Sequence, residues 1–180
     1  VDNANISKDW TDKENAGTFE NGLVWDMISQ LGTVLKEQPE KLFDADLAAK
    51  IKSEGRSYLM GQSQSHMYLN TYLDVFYPYI NKARNGEVIW DGYVGLVGGK
   101  ATTELSTGVK VTGTPDFTKT NEPYIAMMSG FETAMRLAGP TSGWYYNVPT
   151  SPMNRLYEVT SAPHAIPTAA ILQNKYEIAA

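Results

Sequence analysis

The sequence has no cysteine, which removes disulfide cross-links, a thiolate nucleophile and any Cys-ligated zinc or iron–sulfur centre. Arginine is scarce, confined to Arg56, Arg84, Arg136 and Arg155. Acidic side chains outnumber basic ones, 20 to 15, for a net charge of −5. Binding that neutralises many phosphates, or an anionic membrane, is therefore disfavoured for the chain as a whole. No block of like charge suggests an interaction tail, and no apolar run approaches the roughly 18 residues of a bilayer span. Histidine is limited to His66 and His164. Neither sits at metal-ligand spacing, and the pairs Asp44/Asp46 and Asp9/Asp12 lack the pattern of a calcium loop. No metal and no cofactor is expected. The chain begins at Val1 rather than Met, so an initiator methionine, a signal peptide or a pro-segment is expected to have been removed.

What is present suits one domain. Across 180 residues, 42% are hydrophobic and 11% aromatic, enough to bury roughly two thirds of the unfolded surface. The expected organisation is a single domain over 1–180: an N-terminal arm (1–17), a core (18–139) and a Pro/aromatic-rich C-terminal arm (140–180). The N-terminal arm is polar and acidic, and its Asn5-Ile6-Ser7 is an N-glycosylation sequon. From Thr18 to Gln38, Leu23, Met27, Leu31 and Val34/Leu35 recur at helical spacing, joined by Val24 and Ile28. A second helix starts at Pro39, carries Leu42, Phe43, Leu47 and Ile51, and closes at Gly55. A third is expected over 57–77, with Leu59, His66, Leu69, Leu73 and Phe76 on one face, although GQSQSHMY is unusually polar for a core. Val88, Ile89, Trp90, Tyr93 and Val94, followed by Gly98-Gly99 and the alternating TGVKVTG, suggest an antiparallel hairpin at about 87–113. A fourth helix begins after Asn121, with Tyr124, Met127/Met128, Phe131 and Met135 as its stripe. The expected fold class is thus α+β, mainly α: a bundle of about four helices, a small antiparallel β-hairpin insert, and extended arms.

Chemistry-bearing motifs are weak. VGLVGGKAT approaches a phosphate loop, but the pattern G-x-x-x-x-G-K-[ST] places Val94 and Ala101 where Gly and Ser/Thr are required. Ser63 and His66 invite a nucleophile–base pair, yet at i, i+3 on a helix they would lack a strained turn and an oxyanion hole. His164 lies alone in a proline-rich segment. No catalytic residue is assigned and the chain is not expected to be an enzyme. A hydrolase acting through Glu or Asp stays open, because carboxylate chemistry leaves no local signature.

The weight then falls on SGWYYNVPTSPMNRLY. Trp144, Tyr145, Tyr146, Met153, Leu156 and Tyr157 form an aromatic, apolar platform stiffened by Pro149 and Pro152, the composition of interfaces and sugar-stacking surfaces. The leading expectation is a self-assembling structural subunit, a viral coat protein or extracellular filament subunit whose arms lap onto other copies. Its partner would be itself as homo-oligomer or polymer, and its location the virion or the extracellular space, the cytoplasm staying open. Were it a coat, Arg56, Arg84, Arg136 and Arg155 would be the phosphate contacts to nucleic acid. The alternative is a secreted carbohydrate- or ligand-binding module using Trp144, Tyr145 and Tyr146, with Trp90 added.

Overall fold

The computed structural model describes residues 22–105, 109–112, 116, 119–136 and 151–164, with residues 135 and 136 as backbone only. The element order is α1 (Leu23–Glu37), a short 3-10 turn (Pro39–Lys41), α2 (Ala45–Glu54), β1 (Tyr58–Gln62), α3 (Gln64–Thr71), a π-helical stretch (Tyr72–Phe76), α4 (Tyr77–Ala83), β2 (Gly92–Leu96), β3 (Tyr124–Ser129), α5 (Gly130–Arg136) and β4 (Asn154–Val159). The strands form one four-stranded sheet in the order β1-β2-β3-β4. Every pairing is parallel, with Gln62 opposite Leu96, Leu96 opposite Met127, and Met127 opposite Tyr157.

This overturns the helical bundle and the antiparallel hairpin. The expected third helix divides: Tyr58–Gln62 is strand, and the helix starts only at Gln64. The expected fourth helix begins as strand β3, in which Tyr124, Ala126 and Met128 are buried while Ile125 and Met127 are half exposed. Short apolar runs such as Tyr58-Leu59-Met60 and Tyr124–Met128 fit helix and strand alike, and the pairing partner decides between them. Among the described residues of 87–113, Gly92–Leu96 forms strand β2, and it pairs in parallel with β1 and β3. The Val109 carbonyl accepts from Leu105 N–H at 2.7 Å. The C-terminal arm is corrected in the same way: Asn154–Val159 is strand β4, and Leu156 packs on the core.

The helices hold the sheet from the side. Trp25, Tyr72, Leu73, Trp90, Tyr93 and Tyr124 are buried in one cluster, with Trp25 stacked on Phe76 at 4.8 Å. Helix α1 turns Trp25 and Gly32 inward, leaving Leu23 and Met27 63% and 66% exposed. Its buried face is therefore not the Leu23–Met27–Leu31 stripe. Gly32 decides the approach, since a Cβ there would stand 2.4 Å from Ile89 and 2.7 Å from Trp90. Helix α2 is capped by Asp44, whose carboxylate accepts from Leu47 N–H at 2.9 Å. Gly55 ends that helix in extended rather than left-handed backbone.

The polar face of α3 has a structural use. Asn70 Nδ2 donates to the carbonyls of Gly99 and Ala101 at 3.1 and 2.8 Å, and Thr71 exchanges two hydrogen bonds with the backbone of Thr103. Buried polar side chains are stable only when so paired. They tie the segment after β2 to the helix after β1. Pro78 has no N–H to offer the Asp74 carbonyl, and Lys119 Nζ donates to that oxygen at 3.0 Å. Asn85 and Gly86, both at positive φ (54° and 83°), then turn the chain toward β2.

Candidate active site

Strand β1 delivers Ser63 to the carboxyl edge of the sheet in a backbone conformation that L-residues rarely adopt, φ 52° and ψ −115°. Strain of this kind persists only where surrounding contacts impose it. Ser63 N–H donates to the Leu96 carbonyl at 2.9 Å, and the Ser63 carbonyl accepts from His66 N–H at 3.0 Å. The first bond fastens the turn to β2 and the second opens helix α3. Gly61 makes the reversal sterically feasible: a Cβ there would lie 2.4 Å from the Ser65 carbonyl oxygen. A glycine two positions before a serine on a sharp strand-to-helix turn is the nucleophile-elbow arrangement, in which Oγ stands clear above the sheet. Ser65 occupies the position where that motif has its second glycine.

The segments that follow β3 and β4 supply the partners. Ser63 Oγ lies 2.9 Å from His164 Nε2, and His164 Nδ1 is hydrogen-bonded to Glu132 Oε1. The ionised carboxylate accepts, so Nδ1 carries the proton and Nε2 is left as acceptor for the Ser63 hydroxyl. Glu132 is fully buried, and its other oxygen accepts from Ser129 N–H at 2.9 Å and from the Ser129 hydroxyl. Burial pushes the Glu132 carboxyl up, but the bonds from His164 and Ser129 outweigh it and hold the group below the ordinary carboxylate range. The carboxylate is thus kept charged in the first turn of α5, just after β3. Gly130 permits the histidine loop to come this close: a Cβ there would meet Ser161 N at 2.9 Å. The Phe131 ring and the His164 imidazole meet edge to face, centroids 5.6 Å apart.

His66 is not part of this array. It is fully buried beneath β2, where Gly95 and Gly98 leave room for its ring, and its Nε2 lies 2.9 Å from the Tyr124 hydroxyl. Burial lowers its pKa to about 4, so the ring stays neutral at physiological pH.

The residues singled out from sequence are scattered. Asn5, Trp144, Tyr145 and Tyr146 lie outside the described residues. Met153 and Tyr157 are 38% and 51% exposed beside and on β4, with Leu156 half-buried between them. Trp90 is buried in the core and offers no stacking face. Arg56 is exposed after α2, and Arg155 is exposed on β4. Arg84 caps α4 and pairs with Glu37 and Glu87, while Arg136 ends α5. Sequence reasoning passed over the grouping of Ser63, Glu132 and His164. The available signal was Gly61-Gln62-Ser63 directly after a short apolar run. Reading that run as helix hid it, and His164 lies 101 positions from Ser63. Among the described residues, no group of three or more His, Asp or Glu is placed to hold a metal ion, and no helix is long and apolar enough to cross a membrane.

A parallel sheet with a strained serine after one strand, a carboxylate after a later strand and a histidine after the next defines the α/β class of hydrolase folds, in the chain order Ser, Asp/Glu, His. The model of a family described as an alpha/beta hydrolase domain matches residues 7–180, and the chain belongs to that family. No curated protein and no solved structure matches it. Family membership overturns the expected coat or filament subunit and the carbohydrate-binding module. A hydrolase domain accounts for the chain instead, so the hydrolase that the sequence reading left open, rather than its expectation of no enzyme, is the one that stands.

Proposed function

We propose that the chain is a serine hydrolase acting on carboxylic esters, with Ser63 as nucleophile, His164 as general base and acid, and Glu132 as the group that orients and charges the imidazole. The observation that carries this reading is the 2.9 Å approach of Ser63 Oγ to His164 Nε2 with Ser63 held at φ 52°. His164 Nε2 takes the hydroxyl proton as Oγ attacks the ester carbonyl carbon, and Glu132 stabilises the imidazolium that forms. The oxyanion has a donor in Gln64 N–H, which opens helix α3 and so lacks an intrahelical acceptor. The same helix end favours negative charge. Collapse of the tetrahedral species breaks the C–O bond, and His164 returns the proton to the departing alcohol. Water, deprotonated by His164, then attacks the Ser63 ester, releasing the carboxylic acid and restoring the serine hydroxyl.

A hydrolase acting through Glu or Asp directly is less well supported. The best-placed carboxylate, Glu132, has both oxygens taken by His164 and Ser129, so it has none to offer a substrate. Treatment with a fluorophosphonate probe, followed by peptide mapping, tests the assignment. Label on Ser63, lost in His164→Ala, is the expected result. Label elsewhere, or none alongside ester turnover, would sink it.

A further inference from the structure

Beside His164 lies a cleft of about 260 Å³. Its walls are Leu96 and Val97 at the end of β2, Met127 on β3, Val159 ending β4, and Pro163 just before the histidine. No Lys, Arg, Asp or Glu is among its described lining residues. Of the polar ones, Ser129 and His164 are already engaged with Glu132, and Gln62 carries no charge. A carboxylate or phosphate entering here would lose its hydration without gaining a counter-charge, whereas an apolar group would be received by aliphatic walls. The volume falls below the roughly 300–1,000 Å³ of sites for drug-sized ligands, which fits a short chain.

Val97 is the unusual wall. Its φ is 45°, a region in which a β-branched residue is a true outlier. The strain is imposed by its neighbours: Val97 N–H donates to the Met127 carbonyl at 2.8 Å, and the following Gly98 is packed so closely on His66 that a Cβ would stand 2.4 Å from its Cβ. Glycine would adopt this backbone without strain, yet the position carries a side chain and that side chain lines the cleft. The preceding residue, Leu96, holds Ser63 N–H through its carbonyl, so wall and nucleophile share one backbone anchor.

We propose that this cleft receives a short, uncharged apolar group of the ester, on either the acyl or the alcohol side, and that Val97 sets the length accepted. The inference rests on the serine-hydrolase reading above. It is tested with wild type and Val97→Gly on two series: p-nitrophenyl acetate, butyrate, octanoate and hemisuccinate, and acetate esters of ethanol, butanol and octanol. Wild type is expected to prefer butyryl over octanoyl, or butyl over octyl, and to discriminate against the hemisuccinate. Val97→Gly should raise the long-to-short kcat/KM ratio by about tenfold in whichever series occupies the cleft, with thermal stability unchanged or higher because the strain is relieved. Met127→Ala, opposite Leu96 in the sheet register, should move the ratio the same way. Unchanged ratios in both series for both variants, or preference for the hemisuccinate, would overturn the proposal. Absence of all ester turnover, with Ser63 unlabelled by a fluorophosphonate, would instead remove the serine-hydrolase reading and this inference with it.

Discussion

His66 and His164 make an instructive pair of regions. The first follows Ser63 by one helical turn, is fully buried and meets Tyr124. The second lies 101 positions away and meets the Ser63 hydroxyl. Nearness in sequence places a side chain on the helix flank below the turn, where it fills space between β2 and β3. Reach across three parallel strands places the other at the carboxyl edge, where open α/β sheets bind their ligands. The same residue type thus packs in one region and is set to move protons in the other. Burial and hydrogen-bond partners make the difference.

The contrast can be broken most forcefully at the upper site. Ser63→Ala or His164→Ala should each lower kcat on p-nitrophenyl butyrate by about 10⁶-fold, with the double variant little worse, because the two act as a unit. Independent, additive losses would contradict a shared proton path. Glu132→Gln should cost about 10⁴-fold, since an amide no longer selects the Nδ1–H tautomer or stabilises the imidazolium. Measuring kcat against pH for this variant checks the assignment, and near-normal turnover would refute it.

Smaller effects belong to the lower region and should appear in stability rather than chemistry. His66 titrates at about 4 when folded against 6.5 for the free side chain. The unfolded chain therefore takes up a proton that the folded chain refuses as pH falls through that window. Stability is full above 6.5 and should decline by roughly 3 kcal/mol by pH 4. Denaturation midpoints measured across this range should lose that slope in His66→Gln, whatever the variant's absolute stability. Glu132, held below its ordinary 4.5, adds a separate loss at lower pH, as its carboxylate is protonated. Gly95→Ala, which would put a Cβ 2.2 Å from His66 Nε2, should cost about 1–3 kcal/mol. A Gly95→Ala protein as stable as wild type would show that the His66 cavity is looser than its geometry implies.

Some of this was legible in the residues alone. The existence of the first two helices follows from periodicity and capping, which act within a few positions. The unusual polarity of GQSQSHMY was visible as well, but its cause was not. Two of its residues answer to distant partners, Ser63 to His164 and the Leu96 carbonyl and His66 to Tyr124, while Gly61 makes room for the helix start that folds back over it. Nor could periodicity distinguish strand from helix in Tyr58-Leu59-Met60 or Tyr124–Met128, because so short an apolar run satisfies both patterns.

By itself, then, the sequence determined the local matters: where the first two helices stop, that no thiol chemistry is available, and that the chain holds only two histidines. Tertiary structure alone decided that the apolar runs are parallel strands, since a strand is defined by hydrogen bonds to another segment rather than by its own residues. The same sheet brings Ser63, Glu132 and His164 to one edge from three separate strand ends. No spacing rule links them, because parallel crossovers of unrelated length lie between them.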